Sequence, residues 1–268
     1  RDGGLRHARA AQLKRQPFSI PLIPDIEFRH SELAIREVAA ILRCDLSLMI
    51  STVEIDYLTR FFQVPPTQLQ YVPFMEEMTD AHSTVPFAQR AHFISIGNFR
   101  HDPNWDAVRY LKETLWPLIR QQLPQTELHV YGAYPPKKAT QLHNERSGFL
   151  VKGWAPDAQQ VVSQARVMLA PLRFGAGLKG KLIDAARNGT PAVTTSIGAE
   201  AMYGDDDPPC ALVADTPEAF ALAAVGLYQN EDQWRPLHHN GLRLLEQRFS
   251  FATYAPRLIQ RITELRAM

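Results

Sequence analysis

The residues best equipped for chemistry lie in one stretch, APLRFGAGLKGKLIDAARNGTPAVTTSIGAEAM, running from Ala170 to Met202. An apolar run ends at Leu172, and Gly175, Ala176 and Gly177 then form a small-residue loop leading into a helix. Small side chains let backbone N–H groups approach a ligand closely, and a helix N-terminus adds a positive end. Arg173, Lys179 and Lys181 place cations on the same short stretch. Loop, dipole and cations together describe a cradle for a diphosphate; a tight strand-to-helix turn with solvated lysines uses the same residues. After the next apolar run, Ser196, Ile197, Gly198, Ala199 and Glu200 again put small residues at a strand end.

Two further segments place unusual residues after apolar runs. In SIGNFRHDPNWDAV, Gly97 ends a strand, Asp102 is expected to cap the next helix and Pro103 to be its first residue. In LVKGWAPD, Gly153 and Trp154 follow a strand and Asp157 is placed to cap the helix beyond, while Trp154 reads as core or rim packing. Several chemistries find no support. A G-x-G-x-x-G fingerprint is absent, which argues against a nicotinamide or flavin enzyme, and no G-x-S-x-G elbow offers a hydrolase nucleophile. Asp205, Asp206 and Asp207 contain a D-x-D, but their YGDDDPP context reads as a solvated acidic turn. His101, His143, His238 and His239 lack zinc spacing, and only His101 lies close to a candidate loop.

The elements that must position these residues alternate. DLSLMIS, LQYVPF, HFISIGNF, ELHVYG, GFLVKGW, RVMLAPL, PAVTTS and CALVAD read as strands, separated by helical or loop segments. A helix is expected from about Asn104 to Gln122, with Val108, Leu111, Leu115, Leu118 and Ile119 on one face. Such alternation implies an α/β fold: an open, largely parallel sheet covered by helices on both sides, with ligands outside the carboxyl ends of the strands. The polar, turn-rich stretch between Met75 and Ala91 is the natural boundary. We expect residues 1–80 to form part of an N-terminal Rossmann-like domain, residues 81–245 one complete Rossmann-like domain, and residues 246–268 a helix crossing back. That last segment carries Tyr254, Leu258, Ile262 and Leu265 at helical spacing.

Composition bounds the partners. With 268 residues, 45% hydrophobic and 21% charged, the chain is long enough and apolar enough for a sizeable core. Lys+Arg number 29 against 28 Asp+Glu, so no global field speaks for nucleic acid and phosphate recognition must rest on local cations. Cys44 and Cys210 cannot make a disulfide framework, which suits a reducing compartment. No apolar run approaches membrane-spanning length, and the basic opening RDGGLRHARAAQLKR lacks the apolar segment of a secretory signal. Arg6, Arg9, Lys14 and Arg15 in that opening could touch anionic lipid, or simply form a solvated helix face.

Taken in order, these motifs resemble the donor-binding half of a GT-B glycosyltransferase of the family 4 type. The family's strand, Pro, small-residue loop, Lys, acidic-Ala pair, Gly-x-Pro-x-Val and Thr-Ser-x-Gly-Ala-Glu turn fall on Pro171, Gly175 to Gly177, Lys181, Asp184-Ala185, Gly189 to Val193 and Thr195 to Glu200. IGNFRHDPNWDAVRYL is similar to the first strand-loop-helix of the family's C-terminal domain, and ISTVEIDYLTRFFQVPPTQLQYVPF to the end of its N-terminal one. DGGLRHARAAQLK resembles a helix midway through that domain, so the expected chain is N-terminally incomplete and would lack part of the acceptor site.

The resemblance implies transfer of a sugar from a nucleotide-sugar donor, such as a UDP- or GDP-sugar, to a glycan or lipid-linked acceptor. It further implies retained configuration, no separate cofactor and no bound metal. Lys181, with Arg173 or Lys179, would offset charge on the departing diphosphate, and Asp184 would accept hydrogen bonds from the ribose. Gly97 and Asn98 would approach the donor from the first loop, and Gly153, Trp154 and Ala155 would border the nucleobase. Two departures stand out: Ala176 replaces the first of the family's paired glutamates, and Asp184 is one methylene shorter than the second. Arg100 or Lys179 would take the place of the first-loop cation. The implied setting is cytoplasmic, at the inner face of a membrane if the acceptor is lipid-linked. A non-catalytic nucleotide-sugar-binding scaffold in a polysaccharide-synthesis assembly is the alternative that Ala176 and the shortened N-terminal domain favour.

Overall fold

Eight short strands and their intervening helices emerge from the alternation read above, in a computed structural model that describes residues 31–77, 85–203 and 207–267. Helix α1 (Glu32–Leu42), strand β1 (Ser47–Met49), helix α2 (Thr52–Phe62) and strand β2 (Leu69–Tyr71) form a first unit, in which β1 and β2 pair in parallel. Both helices start on serine caps, Ser31 accepting from the Ala34 amide and Ser51 from that of Glu54 at 3.2 Å each. The expected helix of residues 2–14, the basic opening and most of the EEMTDAHSTVP stretch lie outside the described residues.

The second unit is the larger. Its strands are β3 (Ala91–Ile96), β4 (Leu128–Tyr131), β5 (Phe149–Gly153), β6 (Ala165–Ala170), β7 (Ala192–Thr194) and β8 (Ala211–Val213). All are parallel, in the spatial order β5-β4-β3-β6-β7-β8. This is the doubly wound order 3-2-1-4-5-6, in which the chain reverses direction across the sheet between the first and fourth strands. The central strands are hydrophobic on both faces because helices cover both. Phe93, Val130, Val167 and Leu169 pack into one cluster, and Ile94, Met168 and Ala170 into the other, all buried.

Helix α3 (Asp102–Tyr110) continues through a wide turn at Leu111–Leu115 into α4 (Trp116–Gln122), and Val108, Leu111, Leu115 and Ile119 on it are buried as their spacing implied. The expected cap is displaced by one residue: the His101 carbonyl already accepts from the Asn104 and Trp105 amides at 2.9 and 3.2 Å, so Asp102 is the first helical residue and Pro103 the second. The remaining helices are α5 (Lys137–Thr140), α6 (Ala158–Gln164), α7 (Gly180–Arg187), α8 (Ser196–Ala199), α9 (Pro217–Gln229), α10 (Glu231–Arg248) and α11 (Phe251–Ala267). Asp157 caps α6 as expected, accepting from the Gln160 amide at 2.9 Å.

The segment before β3 and the start of α11 meet. Glu76 donates its amide to the Phe249 carbonyl at 2.6 Å and accepts from the Phe251 amide at 2.9 Å. Along α11, Tyr254 packs edge-on against Tyr71 at 5.6 Å and Arg261 donates to the Thr67 carbonyl at 2.9 Å. No residue of α11 is buried, and Ile259 and Ile262 on it are exposed. Among the described residues no helix is long and apolar enough to cross a membrane.

Candidate functional site

In a sheet of this order a ligand crevice opens outside the carboxyl ends of the two strands where the winding reverses, here β3 and β6. The loops leaving those strands are Gly97–His101 and Pro171–Lys179, and they pack on each other through the start of α3. A methyl group at Gly97 would lie 2.7 Å from the Asn104 side chain, so only glycine lets that amide settle on the end of β3. In the second loop, Gly175 and Gly177 have φ of 127° and 73°, a backbone region in which a side chain would be strained.

The cations of the second loop have separated tasks. Arg173 forms a two-pronged ion pair with Asp106 on α3, at 2.9 and 2.6 Å, and lies over the Tyr110 ring. That hydrogen-bonded pairing holds its guanidinium above the usual arginine range. The expectation of a catalytic Arg173 therefore meets a different arrangement: the side chain is engaged in fastening loop to helix. Lys179 occupies the cap position of α7, donates to the Gly177 carbonyl and lies 3.9 Å from the buried carboxylate of Glu200. Glu200 is thus turned toward Lys179 inside the fold. Gly198, also buried, donates its amide to Thr195 Oγ1 at 3.1 Å, and Ala199 closes the same short helix.

Lys181 differs from both. Its ammonium donates to Asn104 Oδ1 at 2.7 Å, and among the described residues no other side chain or carbonyl takes its remaining two N–H groups. Burial, with Lys179 nearby, pulls it down to about 8. Three residues on, Asp184 stands on the same face of α7, half-exposed and 3.5 Å from Arg187. Burial raises its carboxyl, Arg187 opposes that shift and Glu76 adds to it. Arg187 also pairs with Glu76, which ties this helix to the junction with α11.

The first loop is pinned by its own polar groups. Asn98 Oδ1 accepts from the Arg100 amide at 2.9 Å, and the Asn98 carbonyl from Asn104 Nδ2 at 3.0 Å. Arg100 is exposed and lies 3.8 Å over the Tyr134 ring. At the end of β5, Gly153 accepts from the Gly132 amide at 2.8 Å, and Ala155 is buried. Trp154, directly after the last residue of β5, is 65% exposed among the described residues, which excludes the core half of the core-or-rim reading and leaves a place at the rim. Ala176 sits in the loop between the two strained glycines.

Sequence reasoning missed Asn104 and Asp106, which read as ordinary members of an amphipathic helix; their spacing from Gly97 was the available signal. It also read Asp207 as solvated, whereas Asp207 pairs with Arg248 at 2.7 Å; Asp205 and Asp206 lie outside the described residues. Among the described residues no group of three or more His, Cys, Asp or Glu side chains is placed to hold a metal ion.

A parallel sheet in this order, with glycine-rich loops leaving β3 and β6, defines a doubly wound α/β domain. The chain belongs to the family of glycosyl transferases group 1, whose model matches residues 90–230. Three solved structures are similar. A point variant of S. aureus TarM, in complex with fondaparinux, α-GlcNAc-glycerol and UDP, shares 11% identity at a TM-score of 0.70, over 88% of this chain and 48% of that one. WaaG, a glycosyltransferase involved in lipopolysaccharide biosynthesis, shares 15% at 0.62, over 92% and 70%. Anabaena HepE, in complex with UDP and glucose, shares 13% at 0.66, over 88% and 68%. At these identities the likeness establishes the fold, which is of the GT-B type. The chain spans about half the length of TarM. No curated protein matches it in sequence.

Proposed function

We propose that this chain carries the donor site of a retaining glycosyltransferase of the family 4 type, which moves a sugar from a nucleotide-sugar to a glycan or lipid-linked acceptor. The observation that carries this reading is Lys181, a cation fixed to Asn104 beside the loop after β3, with two N–H donors left over among the described residues. Charge grows on the diphosphate as the sugar departs, and a preorganised ammonium beside a helix N-terminus stabilises that charge more than it stabilises the intact donor. A single such donor is commonly worth about 3 kcal/mol of barrier. Asp184, one turn along the same face, would accept from the ribose hydroxyls. The backbone of Gly97, Asn98, Gly175 and Gly177 would line the phosphates, and Gly153 to Ala155 would border the base. UDP in the structures of TarM and HepE supports a uridine donor. WaaG, involved in lipopolysaccharide biosynthesis, supports a cell-surface glycan precursor as acceptor, which would put the reaction in the cytoplasm at the inner membrane face.

Calorimetric titration with UDP, GDP and ADP tests the reading. Selective binding of one nucleotide, lost in Lys181→Ala, supports it; a folded chain that binds none of the three overturns it. A second reading, a binding module without transfer, is favoured by Ala176, which supplies no carboxylate next to the transferred sugar. Donor binding without release of nucleoside diphosphate, in the presence of acceptor, would decide for that alternative.

A further inference from the structure

Resting on the donor-site reading above, we infer that Asn104 is the positioning residue for Lys181, a neutral amide that aims the ammonium at the diphosphate without cancelling its charge. The amide works in both directions. Its oxygen accepts from Lys181 Nζ at 2.7 Å, and its nitrogen donates to the Asn98 carbonyl at 3.0 Å. Asn104 thereby links the loop after β3 to the helix after β6, the two sides of the crevice. The missing side chain at Gly97 makes the link possible, since a methyl group there would stand 2.7 Å from Asn104 Cγ and 2.8 Å from its nitrogen.

The chemistry of the residue type matters as much as its place. A lysine stem has four rotatable carbons, and one fixed acceptor removes most of its freedom before any ligand arrives. An aspartate would fit the same space but would convert the contact into an ion pair and withdraw positive charge from the crevice. It would also set a carboxylate against the Asn98 carbonyl, where a donor now stands. The other charges around Lys181 do not do this: Lys179 shares its sign, Glu200 faces Lys179, and Arg173 and Asp106 satisfy each other. An amide is therefore the side chain that both holds the lysine and leaves it cationic.

The test compares the chain with Asn104→Asp, Asn104→Ala and Lys181→Ala, each checked by circular dichroism, in titrations with UDP and with uridine. If Asn104 only packs, the isosteric Asn104→Asp variant should bind UDP like the parent and Asn104→Ala should be the worse of the two. If it positions a charge, Asn104→Asp should lose about tenfold or more in UDP affinity, at least as much as Asn104→Ala, with uridine binding unchanged in both. Nitrogen NMR of the Lys181 ammonium gives a second readout: its titration should move upward in Asn104→Asp and not in Asn104→Ala. Gly97→Ala, which displaces the amide, should reproduce the Asn104→Ala loss. Parent-like UDP binding by Asn104→Asp, alongside lost binding in Lys181→Ala, overturns this inference and spares the donor reading. A parent chain that binds no nucleotide overturns both.

Discussion

The two ends of the larger sheet each bury a cation, and they use it in opposite ways. At the amino end Arg90, immediately before β3, is 1% exposed. Its guanidinium donates to the carbonyls of Val85, Ala165 and Asn188 and to Thr190 Oγ1, at 2.7–3.1 Å. It also faces the Trp234 ring, on which His238 stacks at 4.8 Å. These partners come from the segments that begin β3, β6 and β7, so one planar fork fastens three strand starts. At the carboxyl end Lys181 has, among the described residues, a single fixed acceptor, Asn104. The difference is one of remaining capacity. A cation whose donors are spread over three carbonyls and a hydroxyl is a fastening; one held by a single neutral amide still has charge and donors to offer.

The largest effect expected from this comparison is on stability at the amino end. Arg90→Met should destabilise the chain by about 3–5 kcal/mol, since several buried acceptors lose a charged donor together. Chemical denaturation measures this. Nucleotide affinity measured well below the melting temperature should be unchanged, because the carboxyl-end crevice keeps its own contacts. An affinity loss as large as that of Lys181→Ala would break the comparison.

Next comes the pH response of the crevice. Lys181 falls to about 8 in the folded chain, against 10.5 for a free lysine. Below about pH 8 it is charged and should bind a diphosphate; as pH rises through that value the charge is lost and affinity should decline. Between about 8 and 10.5 the unfolded chain binds the extra proton, so this residue adds stability with rising pH. At neutral pH its buried charge costs stability, and Lys181→Ala should melt no lower than the parent. Affinity that stays flat to pH 9.5 in calorimetry would assign the diphosphate to another group.

Much of this was legible before any coordinates. Strand positions followed from short β-branched and aromatic runs, and the parallel sheet from their alternation with helices. The loop Gly175–Gly177 and the cations after it stand out because small residues and cations cluster there, a pattern that a tight strand-to-helix turn shares. Contacts between segments far apart in the chain were not legible. Arg173 and Asp106 are 67 positions apart, and Lys181 and Asn104 are 77, so no local pattern couples them. Arg173 consequently looked as available as Lys181. Trp154 reads as either core or rim in sequence for a related reason: an indole is usually covered, and only the geometry at the end of β5 sets it at the rim.

A smaller effect separates those two cations directly. The partly exposed Arg173–Asp106 pair is bidentate, and Arg173→Ala should cost about 1–2 kcal/mol of stability by loosening the loop from α3. Its effect on UDP affinity should be a few-fold at most, well below that of Lys181→Ala. Asp106→Asn should resemble Arg173→Ala, and the double variant should be little worse than either single one. If Arg173→Ala instead abolished binding while Asp106→Asn did not, the guanidinium would be acting on the ligand after all.

The smallest effect belongs to Trp154. Two-thirds exposed and with no hydrogen bond to its indole nitrogen among the described residues, it contributes little to the fold, so Trp154→Ala should change stability by no more than about 0.5 kcal/mol. On the donor-site reading proposed above, Trp154, beside Gly153 at the end of β5, would border the base. A bare indole offers an apolar face that any base can use, and such stacking is worth about 1–3 kcal/mol where it is complete. At the edge of the site the loss should be a few-fold, and similar for UDP and for uridine. That pattern is the mirror image of Asn104→Asp, where the nucleotide weakens and the nucleoside does not. Equal behaviour of the two variants toward UDP and uridine would mean that base and phosphate are not held by separate sides of the crevice.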